Sequence, residues 1–188
     1  MNIILKIAII AIAIIVILLV SAVAAITLDA ASITATGNQT LNPNGTQVGR
    51  ALVVYNPGFS GAAKNAAEKI AGDLQSKGYA VDLAGVRSTT AGNASNYDIV
   101  VAGGPMYFGK ATSSIEGYLN SLTLTAQTRL GVFVTTGSSQ FVNSDFESLQ
   151  QQVTAATSNS HSGNVAVKMV LDGNETQNCA DLVSALLQ

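Results

Sequence analysis

Three short stretches carry residue types suited to ligand chemistry. The first, Asn56-Pro57-Gly58-Phe59-Ser60-Gly61-Ala62, lies between an apolar run and a helical pattern. Gly58 and Gly61 let the backbone turn N–H groups inward, and Ser60 adds a hydroxyl. The helix that follows would present unpaired amides and the positive end of its dipole, which makes an anion pocket without any Lys or Arg. The second stretch, Gly103-Gly104-Pro105-Met106-Tyr107-Phe108-Gly109-Lys110, joins glycines for close approach to two aromatics for stacking. The third, Thr135-Thr136-Gly137-Ser138-Ser139-Gln140-Phe141, is polar with an aromatic end. A phosphate cradle beside two aromatic loops suits a phosphorylated planar ligand. Each residue also has a plain structural reading: Ser60 as a helix cap, the glycines as turn formers, Tyr107, Phe108, Phe59 and Phe141 as packing on the domain's own surface.

Other chemistries find little support. A single cysteine, Cys179, excludes an internal disulfide framework and any multi-cysteine metal cluster. It sits on an apolar helical stripe and reads as a small buried hydrophobe. The single histidine, His161, lies in a Ser/Asn-rich stretch, and neither a carboxylate pair nor a Ser/His arrangement is visible. With 9 Lys+Arg against 11 Asp+Glu, net -2, the chain lacks the clustered cations that nucleic-acid binding requires. A hydrophobic content of 48% excludes a disordered chain.

The elements that must position these loops alternate. Ala51–Tyr55, Tyr79–Val86, Ile99–Ala102, Leu130–Val134 and Asn164–Leu171 are apolar runs of strand length, as in strands buried on both faces. Between them, Ala63, Ala66, Ala67, Ile70 and Leu74 recur at helical spacing, as do Ile115, Tyr118, Leu119 and Leu122, and Phe146, Leu149, Val153 and Ala156. Cys179, Leu182, Val183 and Leu186 stripe a last helix. Ser113 with Glu116 and Ser144 with Glu147 read as capping boxes. The connection Arg87 to Tyr97 is too polar for a full helix and has room for one short turn. Strands alternating with helices predict an α/β three-layer sandwich around a parallel sheet. In such sheets ligands bind beyond the carboxyl ends of the strands, where all three loops fall.

Residues 1–28 stand apart. No charge interrupts Ile7 to Leu28, a run long enough as a helix, at about 1.5 Å per residue, to cross roughly 30 Å of hydrocarbon. This predicts one N-terminal transmembrane helix, with residues 7–28 in the lipid bilayer. A cleaved signal peptide, with Ala22-Val23-Ala24 as a small-x-small site, is the competing reading. Lys6 before the span and Arg50 as the first basic residue after it favour an extracytoplasmic domain. The sequons at Asn38, Asn44, Asn93 and Asn174 are compatible with export. Residues 29–49, small and polar with Gly37, Pro43 and Gly45 as breakers, read as a flexible linker, and residues 50–188 as the domain.

The domain resembles the flavodoxin-like family. Val53-Val54-Tyr55, Ser60-Gly61 and Ala66 to Ala71 are similar to its phosphate loop and first helix; Tyr97 to Val100 with Gly103 to Gly109 resembles its third strand and flavin-ring loop. The resemblance implies a five-stranded parallel sheet in the order 2-1-3-4-5, non-covalent FMN and electron transfer to a redox partner. It places the phosphate on the amides of Asn56 to Ala62 and the Ser60 hydroxyl. The ring would lie against Tyr107, with Phe141 or Phe108 on its other face, and its edge on residues 104–109 and 136–139. Where the family's loop is rich in hydroxyls, only Ser60 keeps one here, and Pro57 lengthens the loop. This departure leaves open a flavin-free binding module on the same fold. An NAD(P)H-dependent reductase would need a nicotinamide site, which no motif supplies.

Overall fold

The computed structural model describes residues 2–31, 35–140, 142–161 and 163–188. Helix α1 (Ile3–Ala31) is followed by strand β1 (Asn38–Leu41), β2 (Gly49–Tyr55), helix α2 (Ala62–Ser76) and β3 (Tyr79–Gly85). A 3-10 turn, Ala91–Asn96, occupies the polar connection and leads into β4 (Ile99–Tyr107) and the two-residue β5 (Lys110–Ala111). Then come α3 (Ser113–Ser121), β6 (Arg129–Thr136), α4 (Asn143–Thr157), β7 (Val165–Leu171) and α5 (Glu175–Leu186).

The five expected strands are present, parallel and in the expected order: β3-β2-β4-β6-β7. The sheet is larger than five strands, however. β1 adds antiparallel to β3, Asn38 opposite Ala84 and Leu41 opposite Val81, and β5 forms a hairpin with β4. Part of the stretch read as a linker is therefore sheet. The reason lies in β3, whose outer edge would otherwise present a row of unpaired backbone groups. β1 has no apolar alternation to announce it: only Leu41 of its four residues is half-buried. It is locked by polar contacts instead. Asp82 on β3 accepts from Thr40 Oγ1 at 2.5 Å and from Tyr97 OH at 2.7 Å. Arg50 bridges to it at 3.3 Å and lies over the Tyr97 ring at 4.6 Å.

The central strands are apolar on both faces because both are covered. Val53, Val101 and Phe133 pack with Ala63, Ala67 and Ile70 of α2 and Cys179, Leu182 and Val183 of α5. Leu52, Val100, Val132 and Val134 pack on the other side with Ile115 and Leu119 of α3 and Leu149 and Val153 of α4. Cys179 is buried as expected, its Sγ 3.7 Å from the Ala66 carbonyl, and burial pushes its thiol up to about 11. The N-caps are not the expected Ser113 and Ser144: α3 starts after Thr112 and α4 after Val142, and neither of these two residues makes a side-chain cap. At α3, Thr112 is engaged elsewhere, as described below.

α1 is apolar all round and exposed. Ile3–Leu28, 26 residues, is long and apolar enough to cross a membrane, and none of its most apolar window is buried against the domain. A signal sequence would have the same character.

Candidate functional site

At the carboxyl ends of β2, β4, β6 and β7 the loops enclose a cleft of about 390 Å³. That lies within the range of small-molecule sites, roughly 300–1,000 Å³. All three predicted loops reach it. Phe59, Ser60 and Ala62 come from the first, Pro105, Met106 and Tyr107 from the second, and Thr136 and Gly137 from the third. Thr135 completes the third wall. Val170, Asp172 and Glu175, from the end of β7 and the start of α5, form a fourth that the sequence reading missed. The signal was available: residues just past the fifth strand must share the edge of the other four.

The remaining predicted residues build the walls rather than line them. Asn56 is fully buried, and its backbone N–H donates to the Gly103 carbonyl at 2.9 Å in the β2/β4 ladder. Its Nδ2 donates to Thr112 Oγ1 at 3.1 Å and Ser114 Oγ at 3.0 Å, while its Oδ1 accepts the Gly58 N–H at 3.0 Å. Pro57 has no N–H. The amides of Asn56 and Gly58 are thus occupied. Gly58, at φ +67°, sits where a Cβ would meet Pro105 Cγ at 3.0 Å, so it seats the first loop on the second. Gly104 is enclosed by Asn56, Ile115 and Thr112. Ser138 holds its own loop: its N–H donates to Thr136 Oγ1 at 3.2 Å and its carbonyl accepts from Asp172 N–H at 3.1 Å. Phe141 lies outside the described residues.

The second stretch differs most from expectation. Gly103 to Tyr107 belong to β4, and Phe108-Gly109 are the central pair of a two-residue hairpin turn, at φ +53° and +76°. Both angles are positive, as in a type I′ turn. Phe108 is 92% exposed at its tip and does not line the cleft. The aromatics that do are Tyr107 and Phe59.

Donors at the cleft are neutral: the hydroxyls of Ser60, Tyr107, Thr135 and Thr136 and main-chain amides at the start of α2. The Ala62 N–H is taken by Ser60 Oγ at 3.3 Å, and the helical ladder begins with Asn65 N–H to the Gly61 carbonyl at 3.0 Å. The Ala63 and Lys64 amides between them belong to the first turn of α2, which no helical carbonyl can serve. Gly61, at φ +74°, and Gly137 are both open: a Cβ at either position would meet nothing within 4 Å. Among the described residues lining the cleft none is Lys or Arg, and two are acidic. Glu175 is held below the usual carboxylate range by its own amide and by the Gly173 N–H, 3.2 Å from Oε1. It is therefore anionic at neutral pH.

No family model matches the chain, and no curated protein matches it in sequence. Its fold has many solved counterparts. A Streptococcus pneumoniae TIGR4 flavodoxin superposes with a TM-score of 0.51 at 16% identity, covering 73% of this chain and 97% of that one. Oxidised flavodoxin 2 from Bacillus cereus gives 0.54 at 14%, covering 73% and 97%. An NADH:FMN oxidoreductase in its apo form gives 0.55 at 13%, covering 74% and 88%. Identities this low show the fold alone: a flavodoxin-like α/β fold, with a mostly parallel sheet extended by a hairpin and preceded by an exposed apolar helix.

Proposed function

We propose that this chain is a membrane-anchored electron-transfer protein that binds FMN in the cleft at the carboxyl edge of its sheet. The observation that carries the proposal is the pairing of two walls: the first turn of α2 with Ser60 on one side, Tyr107 and Phe59 beside it. The residues fit the group. The Ser60 to Lys64 amides suit a dianionic phosphate through backbone donors and the dipole of α2. The space left open at Gly61 and Gly137 admits a ligand close to the main chain. Tyr107, half-buried at the end of β4, offers a ring face. When bound, FMN supplies one- or two-electron chemistry, and the protein supplies binding and electrostatics. Asp172 and Glu175 disfavour added negative charge in the cleft, and so does the domain's excess of acidic residues. Both lower the potential of whatever is reduced there. α1 tethers the domain to the bilayer through residues 7–28, with the domain on the side opposite Lys6.

Titration of the full chain in detergent with FMN tests this, followed by quenching of flavin fluorescence. Saturable quenching in the micromolar range supports the proposal; no saturable quenching at high micromolar FMN defeats it. The second reading, a flavin-free binding module, is favoured by the two carboxylates and the missing cations at the cleft, and it predicts the negative result.

A further inference from the structure

The chain enters the domain at the edge that carries the cleft. α1 ends at Ala31, and Ala35 is already docked, its carbonyl accepting from Arg87 N–H at 2.8 Å just past the carboxyl end of β3. The Gly37 carbonyl accepts from Gly85 N–H at 2.8 Å. β1 then runs antiparallel to β3, from Asn38 beside Ala84 to Leu41 beside Val81, away from that edge. From Ala31 to Ala35 the chain can reach at most about 14 Å, four residues at roughly 3.5 Å each. A membrane-spanning α1 therefore keeps the carboxyl edge close to the lipid surface. It leaves the opposite edge, with Val48, facing away.

Among the described residues beyond α1, the exposed large hydrophobics are Val48, Phe59, Phe108 and Val142. All but Val48 lie in loops of the carboxyl edge. Phe108 is the most telling. A bulky residue at φ +53° is strained, and Asn or Gly would serve the turn better. At 92% exposure it recovers nothing by burial within the domain. Lys110 stands beside it on β5, and Arg87 flanks the docked Ala35, which matches aromatic and basic anchors at headgroup level. Asp145, Asp172 and Glu175 share this edge, so net positive charge does not draw it to lipid. Its apolar tips fit the interface instead.

We infer that the carboxyl edge rests on the bilayer, with Phe108, Phe59 and Val142 in its interfacial layer and the cleft opening along the membrane surface. The partner is the lipid bilayer itself, and zwitterionic lipid suffices. A reactant then reaches Tyr107 from the membrane side rather than from bulk water. The inference rests on the reading of α1 as a retained anchor.

The chain contains no tryptophan, so each substitution gives one reporter. The full chain carrying Phe108→Trp, Phe59→Trp, Val48→Trp or Ile17→Trp is reconstituted in phosphatidylcholine nanodiscs with and without brominated acyl chains. Emission from Ile17→Trp and Phe108→Trp is expected to fall about two-fold or more with brominated lipid, that from Phe59→Trp less, and that from Val48→Trp to stay unchanged. Quenching of Ile17→Trp with none at Phe108→Trp or Phe59→Trp overturns the orientation and leaves the anchor standing. Quenching of Val48→Trp as strong as that of Phe108→Trp overturns it too. Ile17→Trp unquenched, or absent from the mature chain, overturns the anchor and the orientation together.

Discussion

Asn56 and Thr112 are joined across the carboxyl edge by a buried hydrogen bond of 3.1 Å, which ties the loop after β2 to the start of α3. The same amide also serves Ser114 and Gly58. Thr112 and Ser114 are themselves buried, so water cannot replace the lost partner without rearrangement. Asn56→Ala is expected to destabilise the domain by about 2–3 kcal/mol, because the buried hydroxyls lose their shared donor. Urea unfolding of the full chain in detergent, read as a lower midpoint at unchanged slope, checks this. A shift below about 0.5 kcal/mol would show that the clamp contributes little.

Ser60 Oγ stands at the mouth of α2, 3.3 Å from the Ala62 N–H. If FMN phosphate occupies this wall, the hydroxyl turns from that amide to the ligand. Ser60→Ala is then expected to weaken FMN by roughly ten-fold, or about 1.4 kcal/mol, with stability changed by less than about 1 kcal/mol. Paired fluorescence titrations of the two proteins measure it. Equal affinities would return Ser60 to a purely local role.

Sequence pattern was sufficient for the central layers and insufficient at the edge. Val53 and Val101 are buried on one face of the sheet and Val132 on the other, and an unbroken apolar run records that directly. β1 leaves no such record, since Thr40 is held by Asp82, a partner 42 positions away. Asn56 is legible as a loop residue but not as a clamp, because its partners Thr112 and Ser114 lie 56 and 58 positions away. Phe108 beside Gly109 has the sequence character of a ring-stacking loop. The register that pairs Tyr107 with Lys110 and makes those two residues a turn is a tertiary fact. Asp172 and Glu175 were within reach of the rule that placed the other loops.

Asp82 makes the fastening of β1 dependent on pH. Burial alone would raise its pKa, but hydrogen bonds from Thr40, Tyr97 and Arg50 outweigh it and hold the carboxyl below its ordinary value. Tyr97, partly buried and bound to Asp82, is pushed up to about 12 and stays a donor throughout. A depressed carboxylate contributes stability that is present above the unfolded value, about 3.9, and is lost as pH falls through the lower folded value. Stability is therefore expected to hold from neutral pH to about 4 on this account and to fall below it, with β1 amides losing exchange protection first. Asp82→Asn should flatten that acid limb. A mutant with the wild-type limb would assign acid sensitivity to other carboxylates.

Gly103 is paired with Phe133 across β4 and β6, and a Cβ added to it would fall within the Phe133 ring. Phe133 is fully buried and cannot withdraw. Gly103→Ala is expected to cost about 3 kcal/mol, the upper end for overpacking a core. Phe133→Leu on its own also destabilises, by leaving a void. Combined with Gly103→Ala it should cost less than the two single changes together, since the smaller side chain makes room. Urea unfolding across the double-mutant cycle measures that coupling, and strict additivity would mean that the backbone, not the ring, absorbs the added methyl.

Phe108 offers a test in which improved stability is the expected result. Its φ of +53° is a conformation that asparagine tolerates and phenylalanine resists, and the type I′ turn it shares with Gly109 favours Asn-Gly. The side chain, 92% exposed, makes too little contact within the domain to offset that strain. Phe108→Asn should therefore stabilise the chain by about 0.5–1 kcal/mol, a rise of roughly 1–4 °C in Tm. Phe108→Val, with a branched Cβ in the same backbone well, should lower it. Thermal unfolding in detergent micelles, where no planar bilayer competes for the ring, separates the two. A loss of stability in Phe108→Asn would mean that the ring packs onto the domain after all, which would remove the motive for placing it in lipid.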